Sequence, residues 1–234
     1  MNPAVLSADY RGLFPDGVAA AELRSPGDAT MLLPAEAAFI GNAVQKRVQE
    51  YAGGRLCARR ALAEFGIENY ALQVLSDRRP AWPQSMVGSI THTAGLCAAV
   101  AGERRRFCGL GVDSEVVADV TPELWPKICA PREIQWLMSL PAEEQAGAAA
   151  LIFAAKEAFY KCQYPVVEEF LSFHDVLIDM PEWGAPRAVF QVHAVRDLAI
   201  AEHAAFPVLG RYRFHEEFVS AGVGLPARAA GQRS

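Results

Sequence analysis

Apolar positions run along this chain in two rhythms. Residues 146–163 are almost unbroken by Gly, Pro or Asn and lie between Pro141 and Pro165. Good helix formers at that density predict one long helix, with Phe153, Phe159 and Tyr160 as bulk to hold it against a core. Residues 107–115 behave differently, being mostly apolar and then abruptly acidic. If that run is a buried strand extending through Glu115, a period of two puts Asp113 and Glu115 on the same side and Ser114 on the other.

The remaining pattern is coarser. Residues 1–35 mix short apolar groups with the turn signals Phe14-Pro-Asp-Gly17 and Arg24-Ser-Pro-Gly27, which predict short strands joined by turns. Residues 34–65 read as helical, with an interruption at Gly53-Gly54. Residues 72–75 make a short strand before a rigid loop fixed by Pro80 and Pro83. Residues 87–90 and 96–100 read as strands around a turn holding His92, and residues 102–106 as a charged hairpin turn. Residues 119–123 and 125–140 lead into the long helix, which 162–165 closes. Strands follow from 170–178, 187–195, 208–214 and 217–223 on β-branched and aromatic content, enough for a second sheet. Residues 225–234 are small and polar enough to fray.

Composition narrows the class. At 234 residues, 52% hydrophobic and 21% charged, the chain can bury a real core as one large domain or two halves. No apolar run is long enough to span a bilayer, and Met1-Asn-Pro-Ala is not a positive leader, so a cytoplasmic protein is expected. Cysteines 57, 97, 108, 129 and 162 form neither a metal-ligand cluster nor a disulfide pattern. The net charge of -5 is uneven: residues 1–110 carry twelve Arg or Lys against ten acids, residues 111–234 ten against seventeen. The first half suits an anionic ligand and the second a metal. A basic surface for nucleic acid is absent.

Candidate chemistry centres on the two predicted elements. Glu157 and Lys161 stand four apart, on one helical face. As a surface pair they would contribute only about 0.3 kcal/mol. Asp113 and Glu115 repel each other unless a cation or strong donors lie between them. With Glu157 they make an oxygen-rich set suited to Mg2+. Arg55 and Arg59 share a face if their segment is helical, which ordinary solvation would also explain. A lone histidine such as His92 is more often a structural hydrogen bonder than a ligand. Arg104, Arg105 and Arg106 form either a solvated loop or a docking site for an acidic protein.

Taken together, Gly111-Val-Asp-Ser-Glu115 and Phe153-x-x-Lys-Glu-x-Phe-x-Lys161 resemble the paired signature of 4'-phosphopantetheinyl transferases. Gly88-Ser-Ile-Thr-His92 and Arg79-Pro-x-Trp-Pro83 resemble the larger branch of that family, built around siderophore-synthetase and surfactin-type enzymes. The resemblance runs from Arg55 to Lys161. It implies an α/β fold of two similar halves related by a pseudo-twofold, 1–110 and 111–234, with the ligand site at the seam. It also implies transfer of 4'-phosphopantetheine from coenzyme A to a serine of an apo acyl carrier protein or a peptidyl or aryl carrier domain, by a monomer. Asp113, Glu115 and Glu157 would hold Mg2+, and Asp113, Glu157 and Lys161 would serve the chemistry. Arg55, Arg59, Arg79, His92, Thr91 and Lys161 would hold coenzyme A, with Arg60 as an alternative to Arg59 and Ser89 as a further hydroxyl donor. Glu133 resembles another acidic position near the site. Relatives often carry an apolar residue where Ser114 stands, a departure on the strand's far face.

Two other readings fit the same residues: a Mg-dependent phosphodiesterase acting on coenzyme A or a related diphosphate, and a carrier-binding module without turnover. No serine hydrolase elbow, nucleotide-binding glycine loop or zinc histidine set is present.

Overall fold

Two antiparallel sheets, each with a long helix on one face, make up the protein. The computed structural model describes residues 4–41, 43–184 and 188–228. In chain order the elements are β1 (Val5–Leu6), α1 (Ala8–Arg11), β2 (Val18–Leu23), α2 (Pro34–Ile40), α3 (Gln45–Ala63), β3 (Met86–Thr93), β4 (Leu96–Glu103) and β5 (Phe107–Val116). Then come α4 (Trp125–Ile128), α5 (Pro131–Ser139), α6 (Ala142–Val167), β6 (Val176–Asp179), β7 (Ala188–Ala194), β8 (Val208–His215) and β9 (Phe218–Pro226). The first sheet has the order β1-β2-β4-β3, the second β5-β9-β8-β7-β6. Among the described residues no helix is long and apolar enough to cross a membrane. Residues 1–3, Arg187 and the tail from 229 lie outside the described residues.

β4 shows why the layers stack as they do. Cys97, Ala99 and Ala101 join the core under α3, while Leu96, Ala98 and Val100 join a second cluster with Tyr10, Phe14, Leu110 and Val112. A strand apolar on both faces must be covered on both. The order of layers is therefore α3, first sheet, second sheet, α6. The largest core lies under α6, where Phe159, Phe190, Val219, Ala221 and Val223 are buried together.

Four expectations change. Gly53-Gly54 does not interrupt α3, because a Cβ at Gly53 would stand 2.6 Å from the Cys97 sulfur and one at Gly54 2.8 Å from Ile90. The glycines let the helix approach the sheet, and the break falls earlier, at Gly41, where φ is +46°. Residues 72–75 form only a single bridge, Val74 to Pro80. His92 lies on β3 opposite Cys97 rather than in a turn. Pro165 does not close α6. Only the bond its missing N–H would have made near the helix end is lost, and Glu168 ends the helix in the left-handed region with its N–H on the Tyr164 carbonyl.

The basic hairpin is not a free cationic patch. Arg104 donates to the Gln84 and Met86 carbonyls, Arg106 to the Asp16 carbonyl, and Arg105 forks onto Glu103. Arg104 and Arg106 thus cap loop carbonyls, which weakens the reading of this turn as an acidic-protein dock.

Candidate active site

Glycine spacing on β5 brings the two chemical elements together. A Cβ at Gly111 would stand 1.8 Å from the Ala158 carbonyl oxygen, and one at Gly109 2.3 Å from that of Cys162. α6 therefore rests on the odd-numbered face of β5, the face that carries Asp113 and Glu115. Glu157 and Lys161 come down on the same side, one helical turn apart.

Lys161 Nζ donates to Asp113 Oδ1 at 2.6 Å. The same oxygen accepts from the Thr91 hydroxyl at 3.1 Å. Asp113 is 4% exposed, and its Oδ2 is buried with no hydrogen-bond partner. Burial and then the Asp113 charge push Glu115 up from 4.5 to about 8. Burial raises Glu157 as well, against the pull of Lys161. Burial disfavours the Lys161 charge, but Asp113, Glu157 and Glu115 outweigh it and hold the ammonium above its ordinary pKa. Three carboxyl groups thus share one lysine, and their charge is undercompensated.

That imbalance is the test of the expected metal. Among the described residues no three His, Cys, Asp or Glu side chains converge as a ready cage. The donor set still fits Mg2+: all oxygen, short of positive charge, with one buried carboxylate oxygen unpartnered.

The seam beside β5 is held by hydroxyls. Ser89 Oγ accepts the Val112 N–H and Thr91 Oγ1 the Ser114 N–H, each at 3.1 Å. Thr91, expected at the coenzyme, is 1% exposed and its hydroxyl is engaged between Ser114 and Asp113.

A cavity of about 430 Å3 opens above β3 and α3, lined in part by Arg47, Tyr51, Arg55, Arg78 and His92. Arg55 is buried, its Nε on the Leu72 carbonyl at 2.7 Å and its guanidinium 4.3 Å over the Tyr51 ring. Arg47 Nη1 lies 3.3 Å from His92 Nε2. Burial lowers the His92 pKa; Glu50 opposes that, and Lys161 and Arg47 add to it. An adjoining cavity of about 380 Å3 shares Pro80 and Ile90 and is lined by Arg79, Trp82, Ser89, Tyr160 and Lys161. Arg79 is paired with Asp77 at 2.5 Å and Glu168 at 2.6 Å.

Two candidates stand apart. Arg59 is tied to Glu36 and the Met31 carbonyl and does not line the cavity above β3 and α3. Glu133 is 3% exposed and saturated by the N–H groups of Ala130 and Ile178 and by Lys156 Nζ at 2.6 Å. It locks α5 and β6 to α6 rather than facing the carboxylates. Sequence reading passed over Arg47, Tyr51 and Arg78. The first two fall on one stripe with Arg55, spaced by four, a signal lost once a break was expected at Gly53. A cavity of about 890 Å3, larger than these two, lies elsewhere, between α1 and β8, so size does not mark the chemistry.

Comparison with known proteins identifies the family. Residues 35–102 match the family model for the 4'-phosphopantetheinyl transferase N-terminal domain, and residues 109–213 that for the 4'-phosphopantetheinyl transferase superfamily. The chain is 34% identical over 166 residues to the 4'-phosphopantetheinyl transferase Npt of Nocardia iowensis, covering 71% of this chain and 74% of that one. It is 36% identical over 172 residues to PptT of Mycobacterium tuberculosis, covering 70% and 71%. Against Svp of Streptomyces mobaraensis it is 35% identical over 155 residues, covering 64% and 62%.

Proposed function

Because the chain belongs to the 4'-phosphopantetheinyl transferase superfamily, we propose that the carboxylate and lysine cluster between β5 and α6 is the centre of its transfer reaction. The enzyme moves the 4'-phosphopantetheine arm of coenzyme A to a serine hydroxyl of an apo carrier protein. The serine oxygen attacks the pyrophosphate phosphorus that bears the arm. The bond from that phosphorus to the bridging oxygen breaks, and adenosine 3',5'-bisphosphate leaves.

In this reading the work divides between the halves. Residues 1–110 hold the nucleotide end: Arg47, Arg55 and Arg78 present cations to phosphate oxygens, a task the guanidinium fork suits, and His92 offers a ring N–H beside them. Arg79 and Lys161 line the way from that cavity to the carboxylates. Residues 111–234 supply the reacting end. Asp113, Glu115 and Glu157 would hold Mg2+, which supplies neutralising charge to the pyrophosphate. Lys161 meets the charge that develops on the leaving oxygen, and Glu157, directly or through a water, takes the serine proton. The acceptors are acyl carrier proteins and peptidyl or aryl carrier domains, met by a cytoplasmic monomer.

The observation that carries this reading is the meeting of three carboxyl groups, Asp113, Glu115 and Glu157, around the Lys161 ammonium, with Asp113 Oδ2 buried. The test is incubation with coenzyme A, Mg2+ and two apo carriers, one from fatty-acid and one from peptide synthesis, read by intact mass. A gain of about 340 Da, the mass of the arm, on either carrier is the expected result. Cleavage of coenzyme A without an acceptor would instead favour the phosphodiesterase reading, and carrier binding with neither change the module without turnover.

A further inference from the structure

Behind the carboxylates, on the other face of β5, lies a closed group of hydroxyls. Tyr10 Oη is 2.6 Å from Ser114 Oγ, Ser114 Oγ is 2.8 Å from Ser220 Oγ, and Ser220 Oγ is 3.1 Å from Tyr10 Oη. All three residues are 1–2% exposed. His215 Nε2 extends the group, 2.8 Å from Ser220 Oγ. Ser114 and Ser220 are direct partners across the β5–β9 ladder, whereas Tyr10 comes from α1, on the far side of the seam.

Three observations say that this contact is built rather than incidental. Leu13 and Phe14, following Tyr10, press so closely on β9 that a Cβ at Gly222 would meet each of them at 2.8 Å. Burial pushes the Tyr10 phenol up to about 12, so it stays a neutral hydroxyl at working pH. Ser114, which meets both Tyr10 and Ser220, stands between the two acids on β5. An apolar trio would fill the same space without direction; hydroxyls fix angle as well as contact. Because Asp113 and Glu115 flank Ser114 on a pleated strand, whatever fixes Ser114 also fixes the side chains on either side of it.

We infer that Tyr10 is a positioning residue for the transfer site: through Ser114 and Ser220 it holds β5 at the angle that aims Asp113 and Glu115 at a shared cation. The inference rests on the proposed role of those two carboxylates. It assigns to the N-terminal segment a part in metal affinity and none in holding coenzyme A.

The test is Tyr10→Phe in the full chain, with Mn2+ as the probe, followed by electron paramagnetic resonance. Coenzyme A binding without metal is measured alongside, and a melting curve checks folding. Loss of a hydrogen bond to Ser114, between two of the proposed ligands, predicts Mn2+ affinity lower by about tenfold, the low end of the effect of outer-shell partners, with coenzyme A affinity unchanged. A merely structural role would weaken both or neither. Ser220→Ala removes the other partner of Ser114 and answers the same question if Tyr10→Phe does not fold. Folded variants with wild-type Mn2+ affinity would overturn the inference and leave the transferase reading intact. Failure of the wild type itself to bind Mn2+ would overturn the inference together with the metal assignment.

Discussion

Lys161 reaches from α6 to Asp113 on β5, Nζ to Oδ1 at 2.6 Å, because Gly111 leaves no side chain between β5 and the Ala158 carbonyl of α6. One missing methyl group thus sets the distance between the cation and the acids. Gly111→Ala would drive a Cβ into backbone, which cannot rotate away. The expected cost is at least the upper part of the range for overpacking, about 1–3 kcal/mol, with transfer lost in step. Melting temperature and carrier modification, measured together, check it; an active variant of wild-type stability would contradict this packing.

Lys161→Met removes the ammonium that three carboxyl groups share. A preorganised cation at developing charge accounts for about two to three powers of ten in kcat. That loss is expected with the fold retained, and kinetics at saturating coenzyme A and carrier would reveal it.

Stability should depend on pH through Glu115. Its folded pKa of about 8 exceeds its ordinary 4.5, so the folded protein keeps a proton that the unfolded chain releases. The resulting stabilisation is complete below pH 4.5 and is lost as pH rises through about 8. A melting temperature that falls between about pH 5 and about pH 9, and falls less in Glu115→Gln, is the expected outcome. Added Mg2+ should restore stability most at the alkaline end, where the carboxylates are ionised.

Arg47 and His92 stand 3.3 Å apart in the cavity above β3 and α3, where the proposed function places the nucleotide end of coenzyme A. A hydrogen bond to a charged group is worth about 1.5–3 kcal/mol. Arg47→Ala or His92→Ala should therefore raise KM for coenzyme A by about tenfold to a hundredfold with kcat little changed. Repeating the assay with dephospho-coenzyme A should erase most of the difference if the 3'-phosphate is their partner.

Lys156 tests the structural role given to Glu133. Its ammonium is held by Glu133 Oε2 and by the carbonyls of Ile128 and Phe173. Lys156→Met would leave a buried carboxylate uncompensated, at a cost of about 3–5 kcal/mol. Adding Glu133→Gln should recover part of that loss, as denaturant titration can show.

What could be read from the chain follows its physics. β5 and α6 were legible because each is a long run of one periodicity, and Asp113, Glu115, Glu157 and Lys161 fall at its phase. α3 was misread because Gly53 and Gly54 look like breakers in one dimension and act as packing surfaces in three; the stripe of Arg47, Tyr51 and Arg55 disappeared with that break. Arg59 offers the same positive charge as Arg55, and only Glu36, 23 residues away, reveals that it is engaged elsewhere. Tyr10 lies 104 residues from Ser114, and no local pattern announces such a pair.

The hydroxyl seam has a further consequence. β5 borders its sheet, and a bare strand border is a template onto which another chain can add. Here Ser89 and Thr91 occupy the inward N–H groups of Val112 and Ser114, and Lys161 stands 3.5 Å from the Val112 carbonyl. The strand that must stay open to a ligand through its side chains is closed to strangers along its backbone.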